Sequence, residues 1–200
     1  IGLPSSYKGE LVFVTSSGDI SSKMDIAAEK AVQAATSSGD LCIPNITAQD
    51  VSLECSSGDV QVGKVSTEHG SSTGDIVIKT TSGEIKTDQL TGTVNIETSS
   101  GDITVGQVTG DAHIKTNSGS IQSESILGNV QVAASSGDIS VQRIDGNVTA
   151  ESSSGDIKIY EGSGRRMVST TSGEIVLSQV AAAWEAESSS GDVTIKAQEG

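Results

Sequence analysis

The chain has 200 residues and a formal net charge of −14, and its aromatic side chains are one Phe, one Trp and two Tyr. This acidity argues against a nucleic-acid partner, because phosphate binding needs a basic surface. The low aromatic content argues against a core of large rings and against a stacking platform for bases or sugars.

The predicted elements are short strands that each follow a glycine turn. The first strand covers residues 11–15, and Gly-acid-aliphatic tripeptides then begin at Gly18, Gly39 and Gly58. From Gly83 to Gly191 the turn glycines are spaced by 18 residues without exception. The earlier, larger gaps indicate insertions near residues 21–31 and 67–73. Residues 24–35 are rich in good helix formers, but the repeat still places Val32 and Ala34 inside, so a decorated coil is the preferred prediction there.

Each unit of 18 residues consists of two similar halves, because a second, weaker glycine lies nine residues after the first. When offsets are counted from the first glycine, apolar or small residues fall at offsets 2, 4, 7, 11, 13 and 15. Within each half the spacing is two, which is the period of a β-strand, and the residues are often β-branched. The Ser-Ser-Gly sequence before each strand is typical of a turn.

A strand of a few residues cannot bury a face alone, but stacked coils bury it continuously. The sequence therefore predicts an all-β fold, a single-stranded parallel β-helix (β-solenoid) with about 18 residues per coil and about eleven coils. The crossover preference of parallel strands favours a right-handed winding. We expect one domain over residues 1–200, with a thin core of Ile and Val that leaves little room for aromatic rings.

The hydropathy, the first residue and the two cysteines each allow one prediction about the chain. No apolar run approaches the ~18 residues of a membrane-spanning helix, and Ile1 is preceded by neither a Met nor a signal peptide. We therefore expect no membrane span in this chain and a longer parent polypeptide. Cys42 is predicted to face outward and Cys55 inward, as two free thiols.

The Ser-Ser-Gly-Asp-Ile repeat, as at 99–103 and 135–139, resembles that of adhesin-like domains of unknown function in many bacterial surface and envelope-associated proteins. The resemblance covers essentially the whole chain. It implies a β-solenoid and a bacterial cell-envelope or extracellular location, and it implies no catalytic residues. The insertions depart from a strict repeat.

One outward column of the predicted solenoid is almost entirely acidic. This acidic column lies at offset 1, directly after each turn glycine, and consists of Asp19, Asp40, Asp59, Glu84, Asp102, Asp138, Asp156, Glu174 and Asp192. It is a candidate Ca²⁺ edge, since Ca²⁺ prefers carboxylate and carbonyl oxygens. The alternative is that each carboxylate accepts hydrogen bonds from N–H groups of its own turn. We expect no other cofactor.

The coil that begins at Gly155 is irregular and suggests a binding cluster. Arg166 falls at an inward offset, and burying an unpaired Arg is costly. We therefore expect a bulge that turns Arg165 and Arg166 outward, beside Tyr160 and Glu161. A solvated loop is the alternative.

Other columns predict packing and ion pairs. Trp184 falls at an inward offset, where it would plug the last full coil, although an exposed interaction anchor is the alternative. An alternating stripe is formed by Lys79, Glu97 and Lys115, and Arg143 is predicted to contact Glu161 of the next coil.

Two functional hypotheses remain. The first is a non-catalytic surface or envelope module that binds an unknown surface protein or glycan, or spaces other domains. The second is a carbohydrate-active solenoid with a shallow groove. The apolar period of nine, not six, argues against a hexapeptide acyltransferase, and no Ser-His-Asp or Cys-His arrangement is readable. Open coil edges at the rod ends, unless they are capped, also predict end-to-end association into a homo-oligomer.

Overall fold

The structure is a computed structural model that describes residues 7–69, 72–180 and 183–197. Within these ranges it contains strands and turns and no helix, so the helix-favouring composition of residues 24–35 is overridden by the stack. The strands are β1 (Leu11–Thr15), β2 (Ile20–Ser21), β3 (Ile26–Ala27), β4 (Ala31–Thr36), β5 (Leu41–Thr47), β6 (Asp50–Cys55), β7 (Val60–Ser66), β8 (Glu68–His69), β9 (Ser72–Thr73), β10 (Asp75–Thr80), β11 (Ile85–Thr91), β12 (Thr93–Ser100), β13 (Ile103–Thr109), β14 (Ala112–Ser118), β15 (Ile121–Leu127), β16 (Val130–Ser136), β17 (Ile139–Asp145), β18 (Val148–Ser154), β19 (Ile157–Ser163), β20 (Arg166–Ser172), β21 (Ile175–Val180), β22 (Trp184–Ser190) and β23 (Val193–Ala197).

The strands form two parallel sheets that face each other across a narrow core. The first sheet has the order β1-β4-β6-β10-β12-β14-β16-β18-β20-β22, and the second has the order β2-β5-β7-β11-β13-β15-β17-β19-β21-β23. Each strand of these two orders pairs with the equivalent strand of the next coil, so that Ile85 lies opposite Ile103. The predicted β-solenoid with about 18 residues per coil is thus confirmed, with about ten turns against the eleven expected.

The core consists of stacked like residues, as the repeat predicted. At offset 2 six isoleucines in successive coils are fully buried: Ile85, Ile103, Ile121, Ile139, Ile157 and Ile175. β-branched side chains pack well on a pleated surface, and two such layers fill the space between the sheets. This packing accounts for the scarcity of aromatic residues.

Every strand of the second sheet from β5 to β19 bends at offset 5. The register between β11 and β13 pairs Thr87 with Val105 and then Gln89 with Gln107, so it omits Asp88 and its counterpart Gly106. Two consecutive side chains, at offsets 5 and 6, therefore point outward. The bend explains why the inward spacing lengthens from two to three between offsets 4 and 7.

The turn glycines stack directly on one another. A Cβ atom added at Gly101 would overlap the carbonyl oxygen of Gly83 in the preceding coil, and one at Gly119 would overlap that of Gly101. The first member of the stack, Gly18, has only Thr15 Oγ1 nearby, at 3.3 Å. Glycine is therefore required at these corners by the close approach of successive backbones.

Both predicted insertions are visible as additions to the coil. The first contains β3, which pairs with β5 beside the short strand β2. The second contains β8 and β9, which pair with each other in antiparallel orientation. Neither insertion interrupts the stack of the main strands.

The single Trp departs from the preferred prediction. Trp184 lies at an inward position in register with Arg166, but half of its side chain is exposed. Because β22 is the outermost strand of its sheet, no further coil covers this side chain among the described residues.

The cysteine predictions are confirmed, since Cys42 is exposed, Cys55 is buried and both are free thiols. Across the described ranges, no helix is long and apolar enough to cross a lipid bilayer.

Candidate functional site

The acidic column forms hydrogen bonds between coils. The Oδ1 atom of Asp102 accepts from the backbone N–H of Ser120, at 2.7 Å, and that of Asp138 accepts from Asp156, at 2.9 Å. Four equivalent bonds of 2.9 to 3.0 Å join a backbone N–H to the Oδ1 atom of the aspartate in the preceding coil. The donor and acceptor residues are Asp40 and Asp19, Asp59 and Asp40, Glu84 and Asp59, and Glu174 and Asp156. The expectation that each carboxylate bonds within its own turn is therefore wrong for these six residues, because each reaches the N–H of the following coil.

Asp156 shows the electrostatic effect of this arrangement most clearly. The N–H of Glu174 donates to its Oδ1 atom, and the Lys158 ammonium lies 3.1 Å from its Oδ2 atom. The hydrogen bond from Glu174, together with that from Lys158, lowers the pKa of the Asp156 carboxyl below its usual range, because both favour the charged form.

The structure gives the acidic column no cage of ligands. Within the described ranges, no group of three or more His, Cys, Asp or Glu side chains is placed to hold a metal ion. Each coil contributes at most one carboxylate to this column, and six of these carboxylates use one oxygen for the next coil. Calcium binding along this column stays a prediction.

A second column of the same kind lies at the opposite corner, at offset 10, and sequence reasoning missed it. Asp111 Oδ1 accepts from the N–H of Asn129 at 2.8 Å, and Asn129 Oδ1 accepts from that of Asn147 at 3.2 Å. In the same way, Asp50 Oδ1 accepts from the N–H of Asp75, and Asn147 Oδ1 accepts from that of Arg165. The signal was present as an Asp or Asn after the weaker glycines, as in Gly110-Asp111 and Gly128-Asn129.

A third column lies inside the core, at offset 15. The hydroxyl of Thr116 donates to the carbonyl oxygen of Gly101 at 3.2 Å, and that of Ser152 donates to Gly137 at 3.2 Å. Cys55 takes the same position and places its Sγ atom 3.1 Å from the Gly39 carbonyl oxygen. These donors pair with partly buried carbonyl groups of the turns, so the column stabilises the fold.

The predicted cluster around Arg166 is not formed, and its predicted orientation is wrong. Arg166 is buried, with 1% of its surface exposed, and donates from Nη1 to Ser178 O at 3.2 Å and from Nη2 to Gly162 O at 3.0 Å. Burial lowers the pKa of its guanidinium. Because Gly162 has no side chain, the core has room for the Arg166 guanidinium. The two carbonyl oxygens take the place of the water molecules that would hydrate an outward-facing Arg.

The other members of that cluster lie on different parts of the surface. Tyr160 and Glu161 lie on the outer face of β19, in the second sheet. Arg165 precedes β20 at the corner and forms an exposed ion pair of 3.4 Å with Glu185. The structure thus does not bring these residues together as one site.

The charged stripe of the first sheet is partly as predicted. The Lys79 ammonium lies 3.0 Å from Glu97, and this hydrogen bond lowers the pKa of the Glu97 carboxyl.

On the second sheet, Arg143 lies beside Glu161 in register, but its guanidinium pairs with Asp145 at 3.0 Å. The predicted contact between Arg143 and Glu161 is therefore replaced by a pair within one strand.

A large surface depression follows the bend of the second sheet. This kink groove has a volume of about 1030 Å³, and it is lined by Ser22, Lys23, Cys42, Ile43, Pro44, Asn45, Gln61, Val62, Gly63, Lys64, Asp88, Gln89, Gln107 and Glu124. It crosses five consecutive strands from β5 to β15. In its floor Gln89 Nε2 donates to Gln107 Oε1 at 3.2 Å. The groove combines side-chain amides with opposite charges.

A comparison with protein families identifies the family of this chain. A family model described as Toastrack DUF4097 matches residues 1–124 and again residues 71–200, which together span the full length. The chain belongs to the Toastrack family. Nothing among the curated proteins or the solved structures matches it.

The two matches of the Toastrack model overlap over residues 71–124. Such an overlap is natural for a repeat protein, because one model aligns with the same coils in more than one register. The family is one of unknown function, so membership assigns no ligand or reaction to the kink groove or to the columns of this Toastrack domain.

Proposed function

We propose that this Toastrack domain is a non-catalytic binding or spacer module of the cell envelope or the extracellular space. In this proposal it is a rigid acidic rod that holds a flat, polar face towards a surface protein or a glycan. The observation that carries the proposal is that the residues most suggestive of a functional site, those of the polar columns, have a structural role. The acidic column and the second column, at offset 10, form hydrogen bonds between coils, so they stabilise the rod.

The architecture supports this role. Two sheets of parallel strands with a continuous buried core make a stiff element whose ends are separated by roughly 50 Å at a coil spacing of about 4.8 Å. Such solenoids offer long, regular surfaces for binding. The bacterial adhesin-like domains that the repeat resembles support the envelope or extracellular location.

A glycan array combined with a hydrolysis screen tests the proposal. We expect retention of the protein on at least one surface glycan or purified surface protein, without release of shortened products. Release of product in proportion to protein concentration would overturn the non-catalytic role. Fractionation of the source cells with an antibody tests the location, and recovery in the cytosolic fraction would contradict it.

A carbohydrate-active solenoid is the second candidate, and one observation favours it. Asp88 and Glu124 both line the kink groove, and they lie two coils apart with the side-chain-free Gly106 between them. Glycoside hydrolysis requires two carboxyl groups beside the bond that is cleaved, and here the two are spaced along the groove. If the hydrolysis screen detects product, the variants Asp88→Asn and Glu124→Gln should each abolish it, and unchanged turnover in both would exclude this pair.

A further inference from the structure

The kink groove has the dimensions of a site for a chain-like ligand. It runs along the rod across β5, β7, β11, β13 and β15. These five strands follow one another at about 4.8 Å, so the groove is roughly 20 Å long. The spacing is close to the length of one pyranose ring in an extended glycan. A ligand lying in this groove would therefore meet a new strand with nearly every sugar unit.

The charges of the groove point to a neutral ligand. Among the described residues that line it, the charged ones are Lys23, Lys64, Asp88 and Glu124, two of each sign. The domain as a whole has a net charge of −14. The groove is thus a locally balanced strip on an acidic rod, which neither attracts an anionic chain nor selects a strongly cationic one.

The polar groups of the groove fit alcohol groups. Because Gln89 donates to Gln107, the acceptor of Gln89 and the donor of Gln107 remain for a ligand. Both side chains are exposed. The Asp88 and Glu124 carboxylates can each accept hydrogen bonds from two hydroxyls. Hydroxyl groups both donate and accept, so neighbouring hydroxyls on a sugar match this mixture.

The bend itself makes room for the ligand. Gly63 lines the groove at offset 5, and a Cβ atom there would overlap the Pro44 carbonyl oxygen. The groove floor at this position is therefore backbone, and the Asp88 Oδ2 atom lies 3.7 Å from the place that a Gly63 Cβ atom would take.

From these four observations we propose that the kink groove binds a neutral, extended polysaccharide, with about one sugar unit per coil. This inference rests on the proposed binding role and names the ligand class for it. None of the described residues that line the groove is aromatic. Affinity therefore comes from hydrogen bonds repeated along the glycan, so it increases with ligand length.

Calorimetry with defined oligosaccharides tests the inference. The probes are dimers and hexamers of β-1,4-linked glucose, N-acetylglucosamine, xylose and mannose, with a hexamer of galacturonate as the anionic comparison. We expect at least one neutral hexamer to bind about tenfold or more tightly than its dimer and than the anionic hexamer. If no neutral hexamer binds, the inference is overturned.

Three variants locate the site. Gln89→Ala and Gln107→Ala should each weaken hexamer binding about fivefold, as expected for one lost hydrogen bond. Gln131→Ala, an exposed glutamine on β16 of the other sheet, should leave binding unchanged. Equal affinity in all three variants would overturn the inference while leaving the binding role intact. Hydrolysis of a bound hexamer would instead contradict the non-catalytic role and leave the groove assignment in place.

Discussion

The Arg166 guanidinium lies in the part of the core that Gly162 leaves open, and its Nη2 atom donates to the Gly162 carbonyl oxygen at 3.0 Å. In the preceding coil the Gly162 position holds Ile144 and the Arg166 position holds Val148. From one coil to the next, the second sheet thus loses a large core side chain and the first sheet gains a larger one. Gln179, which has a positive φ of 50°, follows Ser178, the second acceptor of the guanidinium.

The first prediction concerns this buried group. Arg166→Lys should lower the free energy of unfolding by about 1–3 kcal/mol, because an ammonium cannot reach both carbonyl oxygens and one buried acceptor is left unsatisfied. Arg165→Lys, at the exposed neighbouring position, should change it by less than about 0.5 kcal/mol. Urea unfolding of both variants measures the difference. Equal effects would show that Arg166 is not held as described.

The second prediction separates hydrogen bonding from charge in the acidic column. Asp156→Ala should destabilise the domain by about 1–2 kcal/mol, because the N–H of Glu174 loses its acceptor. Asp156→Asn should cost less than half as much, since an amide oxygen serves the same purpose at Asn129 and Asn147. Urea unfolding at pH 7 measures both, and equal losses would contradict the hydrogen-bonding role.

The third prediction is the pH dependence of the same residue. The folded pKa of Asp156 is lowered, so its contribution is complete above the unfolded value of about 4 and is lost as the pH falls through the lower folded value. Wild-type stability should therefore decrease below about pH 4 more than that of Asp156→Asn. Parallel curves from pH 5 to pH 2 would contradict this.

The fourth prediction gives one substitution opposite signs at two core positions. Thr116→Val should destabilise by about 1–3 kcal/mol, because the Gly101 carbonyl oxygen loses its donor. Thr87→Val should stabilise by about 1 kcal/mol, since the buried Thr87 hydroxyl has no hydrogen-bond partner and its column neighbours are Val62 and Val105. Thermal melting of both variants is the measurement. A decrease in Tm for Thr87→Val would show that its hydroxyl has a partner.

The fifth prediction tests the glycine stack. Gly101→Ala should destabilise the domain by about 3 kcal/mol or more, because its Cβ atom would overlap the Gly83 carbonyl oxygen. Gly18→Ala has only Thr15 Oγ1 to meet, at 3.3 Å, and should cost less than about 1 kcal/mol. Comparable melting temperatures for the two variants would mean that the coils can shift to accept a side chain.

The repeat predicted the architecture because the spacing of 18 determines which residues share a column. Ile103 and Ile121 could thus be assigned to one buried stack from the sequence alone. The period says nothing about the direction in which a side chain reaches along the rod, so the bond from Asp102 to the coil of Ser120 was not predicted.

The errors concern residues whose environment depends on another column. Arg166 was predicted to face outward because its own position suggested an unpaired buried charge. The complementary feature is Gly162, four residues earlier on the opposite sheet, and no single column contains both. The bend at offset 5 was visible as the longer step between inward positions, but the kink groove on its outer surface depends on how the bent strands stack in three dimensions.

The stacked turn glycines also limit how this domain can change in size. Because each corner glycine must lie on the one in the preceding coil, removal of a few residues would displace every later corner from its neighbour. Removal of a complete unit, such as residues 119–136, would bring Gly137 directly over Gly101. Growth and shrinkage of such a chain over evolutionary time therefore proceed by whole coils, and shorter changes are confined to excursions between corners, as at β8 and β9.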